Sequence, residues 1–163
     1  LTQFEDELVA LLPQLRRFAR SLSRNAADAD DLCQVTVEKA LNGRGQWQSG
    51  TRMDSWMYRI MRNAWIDTAR ARSRAAQTFV GEEAGMSVGD RGDAAIEARV
   101  ELTNVEAAMR QLPDEQREAV ALVLVEGLAY KDAAAVLDIP MGTLTSRLVR
   151  GRQALLAGLG EAA

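Results

Sequence analysis

Leu8, Leu11, Leu12, Leu15, Phe18, Ala19 and Leu22 recur at three- and four-residue steps, which predicts an amphipathic helix early in the chain. Asn25, with Asp28 three residues on, marks the N-cap of a second helix running to about Leu41. Glycines and polar residues from Asn42 to Gly50 predict a loop. Thr51 and Asp54 form an Asp variant of a capping box for a third helix over about Arg52–Arg74. The apolar period then fails until Ala98, Leu102, Val105, Met109 and Leu112 restore it. Pro113 suits the first turn of a further helix, which Val120, Val123 and Leu124 carry to a stop at Gly127. Tyr130–Leu137 and Met141–Leu159 follow, parted by Asp138-Ile139-Pro140. The pattern predicts an all-α chain of two small helical domains, residues 1–74 and 98–163, joined by a flexible acidic linker over 75–97.

Composition supports helices and narrows the chemistry. The 163 residues are 47% hydrophobic but only 5% aromatic, with three prolines. The chain has no His and a single Cys, which excludes a His-based triad and a Cys/His zinc site. A lone Cys33 cannot close an intramolecular disulfide and reads as a small buried hydrophobe. No phosphate loop or paired-carboxylate site is visible, so an enzyme finds no support, and neither a metal nor a cofactor is expected. No apolar run approaches a membrane span, and a cytoplasmic location is the default expectation.

The net charge of −3 conceals a layout. Between Arg52 and Arg74 stand six arginines (52, 59, 62, 70, 72 and 74) against two aspartates (54 and 67). Gly81–Glu101 holds six acids against two arginines, and Met141–Arg152 holds three arginines and no acid. Two basic patches flank an acidic stretch.

Both patches are amphipathic. At about 100° per residue, Met141, Leu144, Leu148, Gly151 and Leu155 share one arc, while Thr143, Ser146, Arg147 and Arg150 lie opposite. A short turn between two helices, the second of them basic, is helix-turn-helix spacing. Arg can grip guanine or phosphate, and Ser and Thr either one more weakly. A solvated polar face on an ordinary hairpin explains the same pattern. In the third helix Met57, Ile60, Met61, Ala64 and Thr68 form the apolar stripe, and Arg52, Arg59, Arg62 and Arg70 cluster on the far side. Such a ladder suits a phosphate backbone.

The run Leu112-Pro113-x-x-x-Arg117, Glu126-Gly127-Leu128-Ala129-Tyr130-Lys131-Asp132 and Ile139-Pro140-Met141-Gly142-Thr143-Leu144-Thr145-Ser146-Arg147-Leu148 resembles region four of bacterial sigma factors of the extracytoplasmic-function (ECF) class. Ser55-Trp56-Met57-Tyr58-Arg59-Ile60-Met61-Arg62-Asn63 resembles that family's Trp-x-x-x-Ile-x-Arg-Asn block of region two. The resemblance covers roughly residues 8–158. It implies an alternative sigma factor that binds RNA polymerase through the clamp helices and flap and directs promoter-specific initiation. An anti-sigma factor is an expected partner, and direct membrane insertion is not expected.

Carried over position by position, the resemblance makes Thr143, Thr145, Ser146, Arg147 and Arg150 the −35 contacts. Trp47, Gln48, Ser55, Arg59, Arg62, Asn63 and Arg70 become the −10 contacts, and Asp31 and Gln34 touch the polymerase. Acids early in a helix also complement its dipole, which gives Asp31 a structural alternative. Trp47 has two readings: a stacking surface for an unstacked base, or a plug beneath the loop. Four positions depart from the pattern. Ala129 stands where a Ser or Thr N-cap is usual, Asp138 where Gly takes a left-handed turn, Thr145 where relatives often carry Lys, and Val35 replaces a common Glu.

A linker of about 20 residues reaches some ~65 Å when extended. The family's two promoter elements lie roughly two duplex turns apart, ~60–70 Å. The reach suffices if the linker is nearly extended. Two rivals remain: a helix-turn-helix repressor that dimerises through its N-terminal half, and a sigma-like decoy that titrates an anti-sigma factor. The arginine ladder argues against the first, because a dimer interface is more apolar. Retention of Arg147 and Arg150 argues against the second.

Overall fold

The computed structural model describes residues 2–78 and 100–162. All regular elements among the described residues are helical. The N-terminal half comprises α1 (Gln3–Leu22), α2 (Ala26–Asn42), a 3-10 turn (Arg44–Gln46) and α3 (Met53–Thr78). The C-terminal half comprises α4 (Val100–Gln111), α5 (Asp114–Val120), a π turn (Ala121–Val125), α6 (Tyr130–Leu137) and α7 (Met141–Ala162). The expected linker falls mainly on residues outside those described. Its expected start at Ala75 is corrected, since α3 continues to Thr78. The start of the next helix near Ala98 also lies outside them.

Local chemistry sets the helix ends. Thr2 accepts a hydrogen bond from the Glu5 amide (3.1 Å), and Asn25 accepts one from the Asp28 amide (2.8 Å). Each satisfies a donor that the helix cannot. Thr51 does not cap as expected; its hydroxyl donates to the Gln48 carbonyl at 2.6 Å and tightens the loop instead. Ala129 occupies the N-cap of α6 without any side-chain bond. Asp138 ends α6 at φ 57°, ψ 50°, the left-handed conformation its position requires. Pro113 stands at the N-cap of α5, one residue before the first turn where the sequence placed it.

The N-terminal helices pack around Leu15, Phe18, Met57, Tyr58 and Met61, all buried. Phe18 meets Tyr58 edge to face, 5.0 Å between centroids. In the C-terminal half Val120, Leu122, Leu137, Leu144 and Leu148 are buried, and α7 lies against α4, α5 and α6. Gly151 allows the closest approach. A Cβ there would stand 2.8 Å from Val120 Cγ2 and 3.2 Å from the Gln116 carbonyl oxygen. Met141, expected on the apolar arc, is instead 49% exposed at the start of α7.

The two halves abut. α3 packs on α6, and α1 packs on α5 and the π turn. This arrangement brings acids of one half against arginines of the other.

Candidate nucleic-acid interface

In α7 the apolar arc is spent on packing, and the opposite face remains available. Thr143, Ser146, Arg147 and Arg150 line a polar concavity of about 420 Å³ with Pro113, Glu115, Gln116 and Gly142. Arg147 is only loosely held, 3.7 Å from a Glu115 carboxylate that is itself largely exposed. Arg150 is exposed. Two guanidiniums and two hydroxyls thus share one surface, the donor set that base edges and phosphates accept. Thr145 is not on it: its hydroxyl donates back to the Met141 carbonyl at 2.9 Å.

Arg117, part of the sequence run that carried the resemblance, has a structural role. It is 3% exposed and donates to the Leu112 carbonyl at 2.9 Å and to the Asp114 carboxylate. It therefore pins the α4–α5 corner, beside a groove that it lines with Asp114 and Glu118. Composition cannot reveal this, because a buried Arg and a surface Arg read alike in sequence.

The arginine ladder of α3 is divided. Arg59, Asn63 and Arg70 are exposed. Arg62, expected to face outward, instead donates through Nε and Nη2 to both Glu118 oxygens (3.1 and 3.2 Å) and is 20% exposed. Arg52 pairs with Asp54 (2.8 Å) and with Asp132 across the seam (2.7 Å). Further along, Arg72 binds Asp28 through two bonds of 2.7 and 2.8 Å and lies over the Trp65 ring. That guanidinium, first by its hydrogen bonds and then by its charge, holds the Asp28 carboxyl below its ordinary value.

The loop before α3 is built on aromatic rings. Phe4 meets Trp47 and Trp56 edge-on at 5.6 and 6.0 Å, and the Arg44 guanidinium lies over Phe4 while pairing with Glu5. Trp47 is half-buried against this cluster, with Gln48 exposed beside it. The Trp47 indole N–H and the Ser55 hydroxyl are enclosed without a hydrogen-bond partner. Asp31 and Gln34 are exposed one turn apart on α2, far in sequence from either basic face. Cys33 is half-buried, and burial pushes its thiol up, which leaves little reactive thiolate.

Sequence reasoning missed one cluster at the seam. The Glu126 carboxylate, its side chain wholly enclosed, accepts from Arg17 Nε (2.9 Å), Arg17 Nη2 (2.8 Å) and the Tyr58 hydroxyl (2.8 Å). The Tyr58 hydroxyl is strongly pushed up, by burial first and then by its bond to Glu126. These partners lie 68 and 109 residues apart, beyond any local pattern.

Comparison with known proteins agrees with this layout. Residues 8–75 match sigma-70 region 2, and residues 102–155 match sigma-70 region 4. The chain is 38% identical to the ECF RNA polymerase sigma factor EcfG of Rhodopseudomonas palustris, over 93% of this chain and 82% of that protein. It is 37% identical to the ECF sigma factor SigM of Mycobacterium tuberculosis, over 90% and 72%. Among solved structures, sigma factor RpoE in complex with the anti-sigma factor NepR from Bartonella quintana superposes with a TM-score of 0.86 at 33% identity, covering 98% of both chains. CnrH, solved with the cytosolic domain of CnrY, shares the fold at a TM-score of 0.71 and 24% identity, over 98% of this chain and 89% of that one. With an α-helical pair of regions in the expected order and relatives matched over most of their length, the chain belongs to the ECF sigma factors of RNA polymerase.

Proposed function

We propose that this chain docks on core RNA polymerase through α2, around Asp31 and Gln34, and directs it to promoters read at two places. The α7 concavity (Thr143, Ser146, Arg147, Arg150) reads the −35 element, with Thr145 at its margin. The loop and outer face of α3 (Trp47, Gln48, Ser55, Arg59, Arg62, Asn63, Arg70) hold the melted −10 strand. Protein–base contacts there offset the lost base pairing, and nucleotidyl transfer stays with the polymerase. The observation that carries this reading is the α7 surface, where two arginines and two hydroxyls share one concavity while Leu144, Leu148 and Gly151 are packed beneath.

Regulation by an anti-sigma factor follows from the relative solved with one. No described helix is long and apolar enough to cross a membrane.

Run-off transcription with core polymerase over a random promoter pool tests the proposal. Start sites that require this chain, and an Arg147→Ala variant that loses about 1–3 kcal/mol of discrimination at one −35 position, are expected. Sequence-specific binding by the chain alone, indifferent to the polymerase, would instead establish the repressor.

A further inference from the structure

The loop from Gly43 to Thr51 consists of two short turns with a joint between them. The Gln46 amide donates to the Gly43 carbonyl at 2.8 Å and the Trp47 amide to the Arg44 carbonyl at 3.2 Å, which closes the first turn. The Thr51 amide and hydroxyl both reach the Gln48 carbonyl, at 3.1 and 2.6 Å, and close the second. Among the described residues no hydrogen bond joins one turn to the other. The peptide between Trp47 and Gln48 is therefore oriented from outside the loop.

That outside support is the first turn of α1. Phe4 is buried and meets Trp47 and Trp56 edge-on, so it bridges the loop and the first turn of α3. The Arg44 guanidinium lies 5.0 Å from the Phe4 ring centroid and pairs with Glu5 at 3.3 Å. Glu5 is fixed in turn by the helix cap: its amide donates to the Thr2 hydroxyl oxygen, and its carboxylate accepts from that hydroxyl. The Trp47 indole N–H is enclosed without a partner, so ring packing and not a hydrogen bond holds the side chain. Gln48, the next residue, is exposed.

We propose that Phe4 and Arg44 are positioning residues for −10 reading. They fix Trp47 as a post, and the post sets the direction in which the Gln48 amide meets an unstacked base of the single strand. Of the two readings of Trp47, the plug is the one adopted, and Gln48 becomes the specificity-determining side chain. An amide reads a base edge only when its donor and acceptor align together, so a ring contact one residue away decides which base is accepted. This rests on the −10 role assigned to the loop.

The test uses the full chain with core polymerase and two promoter pools, one randomised at −10 and one at −35. Phe4→Leu keeps apolar bulk but removes the ring, Arg44→Gln removes the cation, and Gln48→Ala removes the reader. Gln48→Ala and Phe4→Leu are expected to flatten base preference at the same −10 position, by about tenfold and about threefold. Arg44→Gln is expected to act there too, more weakly. The Phe4→Leu/Gln48→Ala double variant should match Gln48→Ala alone, because a post without a reader sets nothing. Preference at −35 should stay as in wild type, which a general loss of folding would not allow. Nuclear magnetic resonance of the isotope-labelled chain supplies a readout without DNA: the Trp47 indole signal, identified by Trp47→Phe, is expected to shift in Phe4→Leu. An indole signal that stays in place, a −10 preference that survives Phe4→Leu, a loss spread evenly over both pools, or additive losses in the double variant would each overturn the proposal. Start sites indifferent to this chain would remove the proposed function, and the −10 role with it, while leaving the indole result standing.

Discussion

The basic faces of α7 and α3 are built alike and presented differently. Each helix turns an apolar stripe inward and arginines outward, yet Arg147 and Arg150 sit on an open concavity while Arg52 and Arg62 are clasped by carboxylates of the other half. The acid beside the α7 concavity is the exposed Glu115, whereas the arginines of α3 meet Asp28 and Asp54 of their own half and Glu118 and Asp132 of the other. The basic face of α7 is thus open, whereas that of α3 is partly covered by carboxylates from the other half. Charge pattern alone does not distinguish the two, because the covering groups lie 56 to 80 residues away in the chain.

The sharpest way to break the comparison is to unfold one half at a time. Met61→Ala in α3 and Leu144→Ala in α7 each remove a fully buried side chain and are expected to cost about 2–5 kcal/mol. If the seam couples the halves, both variants lower a single transition in urea; two separated transitions would show that each half stands alone. Gly151→Ala comes next, at about 1–3 kcal/mol, since its Cβ meets Val120 and the Gln116 backbone at strained distances. Its loss should appear in −35 reading before polymerase binding, measured by transcription from promoters with and without that element.

A gain is expected from Ala129→Ser, about 1 kcal/mol, because α6 begins with no side-chain cap. Chemical denaturation should show the shift without any change in promoter choice. The smallest effect concerns acid. Asp28 has a folded value below its ordinary one, so its pair with Arg72 contributes fully above the ordinary carboxylate range and is lost as pH falls through the depressed value. Arg72 is more than half exposed, which keeps the contribution within about 1 kcal/mol. Asp28→Asn should flatten the stability profile below about pH 4 and leave it unchanged in slope near neutrality.

Much of the fold is legible wherever the cause is local. Asn25 caps α2, Asp138 takes the left-handed turn, and Met57, Met61, Leu144 and Leu148 face inward as their spacing requires. The open polar face of α7 was legible for the same reason, since Thr143, Ser146, Arg147 and Arg150 share one helix. What sequence does not disclose is set by tertiary contact. Arg62 has an outward helical phase yet meets Glu118, and Arg117 looks like a surface cation yet is buried beneath a corner. Met141 has an apolar phase yet is half-exposed. Thr51 had two bonds open to it and took the one inside the loop.

The π turn at Ala121–Val125 links these observations. Here the Glu126 amide bonds to the Ala121 carbonyl five residues back, at 2.8 Å, and Gly127 at φ 74° reverses the chain. One added residue in a helical coil advances everything after it by about 100° around the axis. That rotation leaves Leu124 and Val125 facing water and aims Glu126 at Arg17 and Tyr58. Shortening the coil by one residue would swing the carboxylate about 100° around the axis and take it off Arg17 and Tyr58.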